Sequence, residues 1–137
     1  REYPQYLARL GIKERMDEWN DPSPEFDAQQ LANTKAKLTE LRNNFNFEAL
    51  GDDEQLSYRL WETNAERTLD GEKWNDHGYT FHQMYGPHKD LVTFLVNQHK
   101  IDNKADAEAY VARLSKIDDY LGQHIKNSKR SFRDSHI

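Results

Sequence analysis

Cysteine is absent from the 137 residues, which removes disulfides and thiolate metal ligands together and leaves the redox compartment open. Valine is scarce, and no β-branched run alternates with polar residues, so there is little to build strands from. Long apolar runs are missing too: no stretch approaches the roughly 20 residues of a membrane-spanning helix. Positive charge is the minority sign. A formal net charge of −5 argues against nonspecific nucleic-acid binding, which relies on Lys and Arg displacing counterions from phosphates. There is no P-loop, no dinucleotide fingerprint and no Ser-His-Asp elbow motif.

What remains is a chain with 36% hydrophobic and 31% charged residues. That ratio suits helices that concentrate their apolar residues on one stripe each. A domain near this length buries roughly 68% of its unfolded surface, so residues 1–137 are expected to form a single helical domain. No internal repeat or low-complexity tract interrupts it, and no signal peptide is visible. The chain starts at Arg1 rather than Met, which predicts a trimmed or processed piece of a larger protein.

Taken in order, Tyr3, Tyr6, Leu7 and Leu10 fall at i, i+3, i+4, i+7, with Pro4 in the first turn and Gly11 placed to end the helix in a left-handed conformation. Ile12, Met16 and Trp19 keep a helical spacing and predict a second short turn. Ser23-Pro24 reads as N-cap and first residue of the next helix, which runs to about Asn43 along the seam Leu31, Thr34, Leu38, Leu41, Phe45. Phe47 and Leu50 are expected to tuck the connector onto the core. Asp52 and Gln55 resemble a capping box opening a third helix, whose buried side is predicted as Leu56, Leu60, Trp61, Ala65, Thr68 and Leu69. Gly71 ends or kinks it. Residues 72–81 fit neither helix nor loop decisively. Asn103 is a candidate N-cap for the last helical region, which carries Ala107, Tyr110, Val111, Leu114, Ile117, Leu121 and Ile125 on one side and either runs on to Lys129 or restarts at Asp118-Asp119. The fold class is all-α: a multi-helix, bundle-like domain.

Chemistry gathers in Thr80–Val96, at a Gly-Pro elbow between two helices. Pro87 lacks an N–H and its ring collides with a preceding helical turn, but both defects are harmless at a first helical position. Gly86 therefore caps a new helix, with Leu91, Val92, Leu95 and Val96 as its buried stripe. His82, Gln83, Tyr85 and His88 crowd the bend and are the substrate-facing candidates. Tyr85 and His88 could exchange hydrogen bonds with a peptide backbone, while Phe81 and Met84 supply an apolar wall. The plainer reading makes Phe81, Met84 and Tyr85 core residues that fix the helix crossing. His77, His82 and His88, with Asp76, raise the question of a metal. A helical zinc pair wants ligands four apart on one face, and no such pair exists among them. The plainer reading is that these imidazoles hydrogen-bond backbone at the bend or face solvent. Asp52-Asp53 and Asp118-Asp119 read as helix starts rather than acid/base couples. Lys126, Lys129, Arg130 and Arg133 near the end suit a helix C-terminus better than an anionic partner. No catalytic residue and no metal site is assigned.

The blocks FHQMYGPHKDLVTFL (Phe81–Leu95) and DAEAYVARLSKIDDYLGQHI (Asp106–Ile125), with the opening PQYLARLGI (Pro4–Ile12), resemble the bacterial family catalogued as domain of unknown function 885. Both blocks resemble the N-terminal half of such proteins, with Gln83, Gly86 and the run Tyr110–Leu114 the most specific matches. Full-length members resemble zinc metallopeptidases and carry a His-Glu-x-x-Pro-Gly-His motif in a C-terminal half that these residues do not include. The resemblance implies a hydrolase-like parent that binds zinc in that other half, which would be this chain's partner, and a peptide substrate. It implies export, sometimes as a membrane-anchored lipoprotein. This piece needs no cofactor of its own. Two readings follow: a non-catalytic N-terminal domain forming or supporting one wall of a substrate cleft, or a free-standing helical interaction module without activity. They differ in surface. A stub should leave an apolar patch of several hundred Å² or more beside Phe45, Phe47 and Trp74–Phe81, whereas a module should close it.

Overall fold

The computed structural model describes residues 2–134, and among them helices are the sole regular structure. The α-helices are α1 (Pro4–Arg9), α2 (Pro24–Asn44), α3 (Asp52–Gly71), α4 (Pro87–Asn97), α5 (Lys104–Ser115) and α6 (Ile117–Asp134). Short 3-10 turns cover Phe47–Ala49 and Glu72–His77. The all-α expectation holds. The chain divides into two compact units, Pro24–His77 and the remainder.

The larger unit combines α1 and its following strap (residues 12–20) with α4, α5 and α6. Pro4 occupies the first turn of α1, and Gly11 closes the helix at φ 76°. Gly11 N–H donates to the Ala8 carbonyl and Ile12 N–H to Leu7, which uses up carbonyls the helix end would otherwise leave open. The short helical turn expected around Ile12, Met16 and Trp19 does not form. Arg15 instead adopts φ 54°, a conformation costly for a side-chain-bearing residue. The strap's carbonyls are taken elsewhere: those of Arg15 and Glu18 accept from the Arg113 guanidinium at 3.2 and 2.9 Å. The Arg15 carbonyl also accepts from Glu18 N–H at 3.1 Å, which closes a turn.

The core of this unit is Ala8, Trp19, Leu91, Phe94 and Leu95, with Tyr110, Ile117, Tyr120 and Leu121 packed against it. Gly86 caps α4 and Pro87 opens it, as expected. The buried stripe of α4 differs. It is Leu91, Phe94 and Leu95, while Val92 and Val96 face solvent. The reason lies opposite Phe94, which is 2% exposed and meets Trp19 at 5.7 Å between ring centroids and the Arg113 guanidinium at 4.9 Å. Asn103 caps α5, its Oδ1 accepting from Asp106 N–H at 3.0 Å. Lys116 then leaves helical geometry and α6 restarts at Ile117 with Asp118 and Asp119 in its first turn, so the last region is two helices rather than one rod.

The smaller unit is a hairpin of α2 and α3. Leu38 is buried on α2, and Leu31, Thr34 and Leu41 are half-buried beside it, so the expected seam holds up to Phe45, which is exposed. On α3 the inward positions are Gln55, Tyr58, Glu62, Ala65 and Leu69, a 3-4-3-4 spacing. Leu56 and Leu60, expected to be buried, are 59% and 57% exposed, and Trp61 is exposed with them. The inner face carries polar contacts as well as apolar ones. Gln55 Nε2 donates to the carbonyls of Phe47 and Leu50 at 3.2 and 3.1 Å, and Glu62 accepts from Arg42 Nε at 2.8 Å. The N-cap of α3 is Gly51, one residue before the expected Asp52. Its N–H donates to Glu54 Oε2 at 2.7 Å, half of a capping box. Phe47 packs edge-on to Tyr58 and lies under the Arg59 guanidinium, which anchors the connector.

Candidate functional site

The Gly-Pro corner is built on one residue without a side chain. Gly86 sits at φ 135°, and a Cβ there would come within 2.9 Å of the Thr80 carbonyl and 3.3 Å of the His88 ring. Only glycine fits both conditions. Its carbonyl accepts from Lys89 and Asp90 N–H groups, both at 3.0 Å, which starts α4. The corner has a helix on its downstream side only. Residues 78–86 lead in as irregular backbone held by local bonds. His82 N–H donates to the Tyr85 carbonyl at 3.1 Å, Met84 N–H to His82 Nδ1 at 3.2 Å, and Lys89 Nζ to the Met84 carbonyl at 2.9 Å.

The structure brings together His82 and Tyr85, stacked at 4.4 Å and 13°, and sets His88 against Phe81 at 5.7 Å. Gln83 points outward, and His88 is exposed. Met84 and Tyr85 do not join a core: they are 66% and 62% exposed. Tyr79 is exposed as well, at 81%, and hydrogen bonds tie down the backbone that carries Met84 and Tyr85. Among the described residues, no group of His, Asp or Glu side chains has the arrangement of a metal site. His77 lies in the other unit, edge-on to Trp74 at 5.1 Å.

A second concavity, of about 450 Å³, lies where the strap meets the start of α6. Trp19, Pro22 and Tyr120 give it an apolar side, and Glu18, Asp119 and Lys116 a charged rim. Trp19 and Tyr120 stack at 5.0 Å. Lys116 Nζ is engaged by Asp17 at 2.8 Å, which holds the Asp17 carboxyl below its usual range. Burial raises the Tyr120 hydroxyl, so it stays a neutral donor.

Sequence reasoning missed the centre of the larger unit. Arg113 is 0% exposed. Its Nε donates to the Glu18 carbonyl, Nη2 to that of Arg15, and Nη1 to His99 Nδ1 at 2.9 Å, while its own carbonyl accepts from Trp19 Nε1 at 2.9 Å. Burial lowers it to about 10, which still leaves it charged at neutral pH. His99 in turn contacts the Asp106 carbonyl through Nε2 at 3.2 Å. Asp106 Oδ2 accepts from Lys13 Nζ and from Asp102 N–H, and the Lys13 bond holds its carboxyl low. The one signal in the sequence was Arg113 itself, lying one residue from the apolar Leu114 on a helix whose neighbouring turns are apolar.

No curated protein and no solved structure matches this chain. A family model described as a bacterial protein of unknown function, DUF885, matches residues 4–137. No helix among the described residues is long and apolar enough to cross a membrane. With nearly its whole length matched, the chain belongs to the bacterial protein family of unknown function DUF885.

Proposed function

We propose that this chain is a non-catalytic helical portion of a zinc-dependent, peptidase-like protein, and that its Gly-Pro corner forms or supports one wall of the substrate cleft. The observation that carries the reading is the corner's combination of fixed backbone and outward Tyr79, Met84 and Tyr85. A surface already ordered costs little to dock against, because the entropy of fixing the loop is spent in folding. Peptide substrates offer the alternating apolar and amide groups that such a surface can meet. Histidines and carboxylates of this chain have no part in hydrolysis on this reading. Zinc and the general base would be supplied by another part of the protein.

Exposed apolar side chains also favour this reading over a self-contained module. Of the side chains where a patch was expected, Phe45, Trp74 and Tyr79 are exposed while Phe47 and Phe81 are half-buried. Two measurements test it. Purified alone with zinc, the chain is expected not to cleave peptides, and chelator-sensitive cleavage would overturn the assignment. The reading frame after Ile137 is expected to encode a His-Glu-x-x-Pro-Gly-His helix, whereas a stop codon there would leave the module. In the longer protein, Tyr85→Ala should raise KM with little change in kcat.

A further inference from the structure

We propose that His99 is a proton-operated latch: protonating its imidazole breaks the Arg113–His99–Asp106 chain and releases the strap of residues 12–20 from α5. The inference stands apart from the peptidase reading and concerns the larger unit alone.

The hydrogen-bond chain fixes the neutral tautomer. A guanidinium can only donate, so His99 Nδ1 must accept from Arg113 Nη1. The ring's single N–H is then on Nε2 and donates to the Asp106 carbonyl. A second proton has to go on Nδ1, which sets N–H against N–H and cation against cation at 2.9 Å. What lies nearby repays only part of that cost. From α5 the ring meets Arg113, the Asp106 carbonyl and the edge of Tyr110 at 5.0 Å. The Asp106 carboxylate is already held by Lys13 of the strap and by the N–H of Asp102 in the preceding turn. Asp17 and Glu18 of the strap act on Arg113, supporting the charge that repels the new one. Burial and the Arg113 charge both disfavour the imidazolium, and the Asp106 carbonyl and carboxylate only partly offset them.

The same geometry says what lets go. Arg113 holds the strap by the carbonyls of Arg15 and Glu18, and the strap holds α5 through Trp19 Nε1. Arg15 is kept at φ 54° in a turn that aims its carbonyl at Arg113. Moving the guanidinium away from a charged His99 frees that turn to relax. Because residues 18–23 also line the groove beside Tyr120, an open strap would reshape it.

The test reads the Trp19 indole N–H by hydrogen exchange, as protection relative to intrinsic exchange. His99 has its affinity for protons lowered below 6.5 in the closed state. As pH falls below that value the open form takes up a proton that the closed form refuses. Protection in the wild-type chain should therefore fall about tenfold per pH unit, the slope of a one-proton opening, until the closed-state value is passed. His99→Gln keeps an acceptor for Arg113 and a donor for Asp106 but has nothing to protonate, so its protection should stay level from pH 7 to 5. His124→Gln, which removes the other burial-lowered imidazole of this unit, should keep the wild-type slope. An equal slope in His99→Gln and wild type would overturn the latch, and so would loss of the slope in His124→Gln alone. Should His99→Gln fail to fold, the wild-type ring decides: nitrogen shifts showing the Nε2–H tautomer at pH 7 support the proposal, and an Nδ1–H tautomer overturns it.

Discussion

The two units bury different things. In the larger one, an aromatic and aliphatic cluster closes around a charged Arg113, and nearly every polar atom there has a named partner. In the smaller one, Leu38 and Ala65 are the buried hydrophobics among the described residues, and larger side chains are left in solvent. A guanidinium can hold three chain segments at once because its donors are fixed in a plane and reach separate carbonyls. A two-helix hairpin has a single seam, so its stability rests on a few contacts along one line. The first arrangement makes a precise centre that fails all at once. The second tolerates change on most of its surface.

The sharpest way to break the comparison is to remove the centre. Arg113→Met keeps the length of the side chain and deletes its donors. It takes the guanidinium from the Glu18 carbonyl and from the buried Nδ1 of His99, and leaves the Arg15 carbonyl with the Glu18 N–H alone. The expected loss is about 2–4 kcal/mol by urea denaturation, since a buried neutral acceptor left without its donor costs about 1–3 kcal/mol. A loss under about 1 kcal/mol would mean the apolar ring alone carries this unit.

The seam of the smaller unit is tested by a pair of leucines. Leu38→Ala should cost about 2–4 kcal/mol, since the residue is buried between the helices. Leu60→Ala removes the same atoms from an exposed face and should stay within about 0.5 kcal/mol. Equal losses would mean that Leu60 is covered in solution, by a second copy or another chain. At the corner, Gly86→Ala should cost about 1–3 kcal/mol, because φ 135° and the Thr80 carbonyl both oppose a Cβ. The measurement is again denaturation, with Gly122→Ala as a control at an open helical site, where the change should be neutral or stabilising by about 0.5–1 kcal/mol.

These contrasts also explain what the sequence could and could not say. Caps and breaks are local, and they were legible: Gly11 ending α1, Ser23-Pro24, Gly86-Pro87 and Asn103 each act within a few residues. Faces are decided by neighbours. On α3 the leucines at 56 and 60 advertise a stripe, yet Gln55, Tyr58, Glu62, Ala65 and Leu69 form the real one. Glu62 on that face bonds Arg42 of α2, and Gln55 bonds the carbonyls of Phe47 and Leu50. On α4 the period allowed either valines or Phe94 inside, and only the presence of Trp19 and Arg113 opposite chooses. The buried arginine was least legible of all, since its partners lie 14 to 98 positions away along the chain. At the corner, the outward set of side chains and the stacked His82–Tyr85 pair are visible only once the backbone bonds are known.

The smallest expected effect sharpens the comparison from the charged side. Arg42 pairs with Glu62 and Glu66 across the hairpin, and both bonds raise its affinity for protons. It is the smaller unit's counterpart of Arg113: one guanidinium, two partners on the opposite helix. The difference is water. Arg42 is exposed, so solvent competes for each bond, ions screen the pair within about 10 Å at 0.1 M salt, and holding the long side chains costs rotamer freedom. Arg42→Ala should therefore cost far less than Arg113→Met. Its loss should shrink further on raising salt from 0.05 to about 1 M, while that of Arg113→Met should hold. If Arg42→Ala instead cost as much as Leu38→Ala, the seam would be fastened by charge rather than by apolar contact. The division between the two units would then be one of address, not of physics.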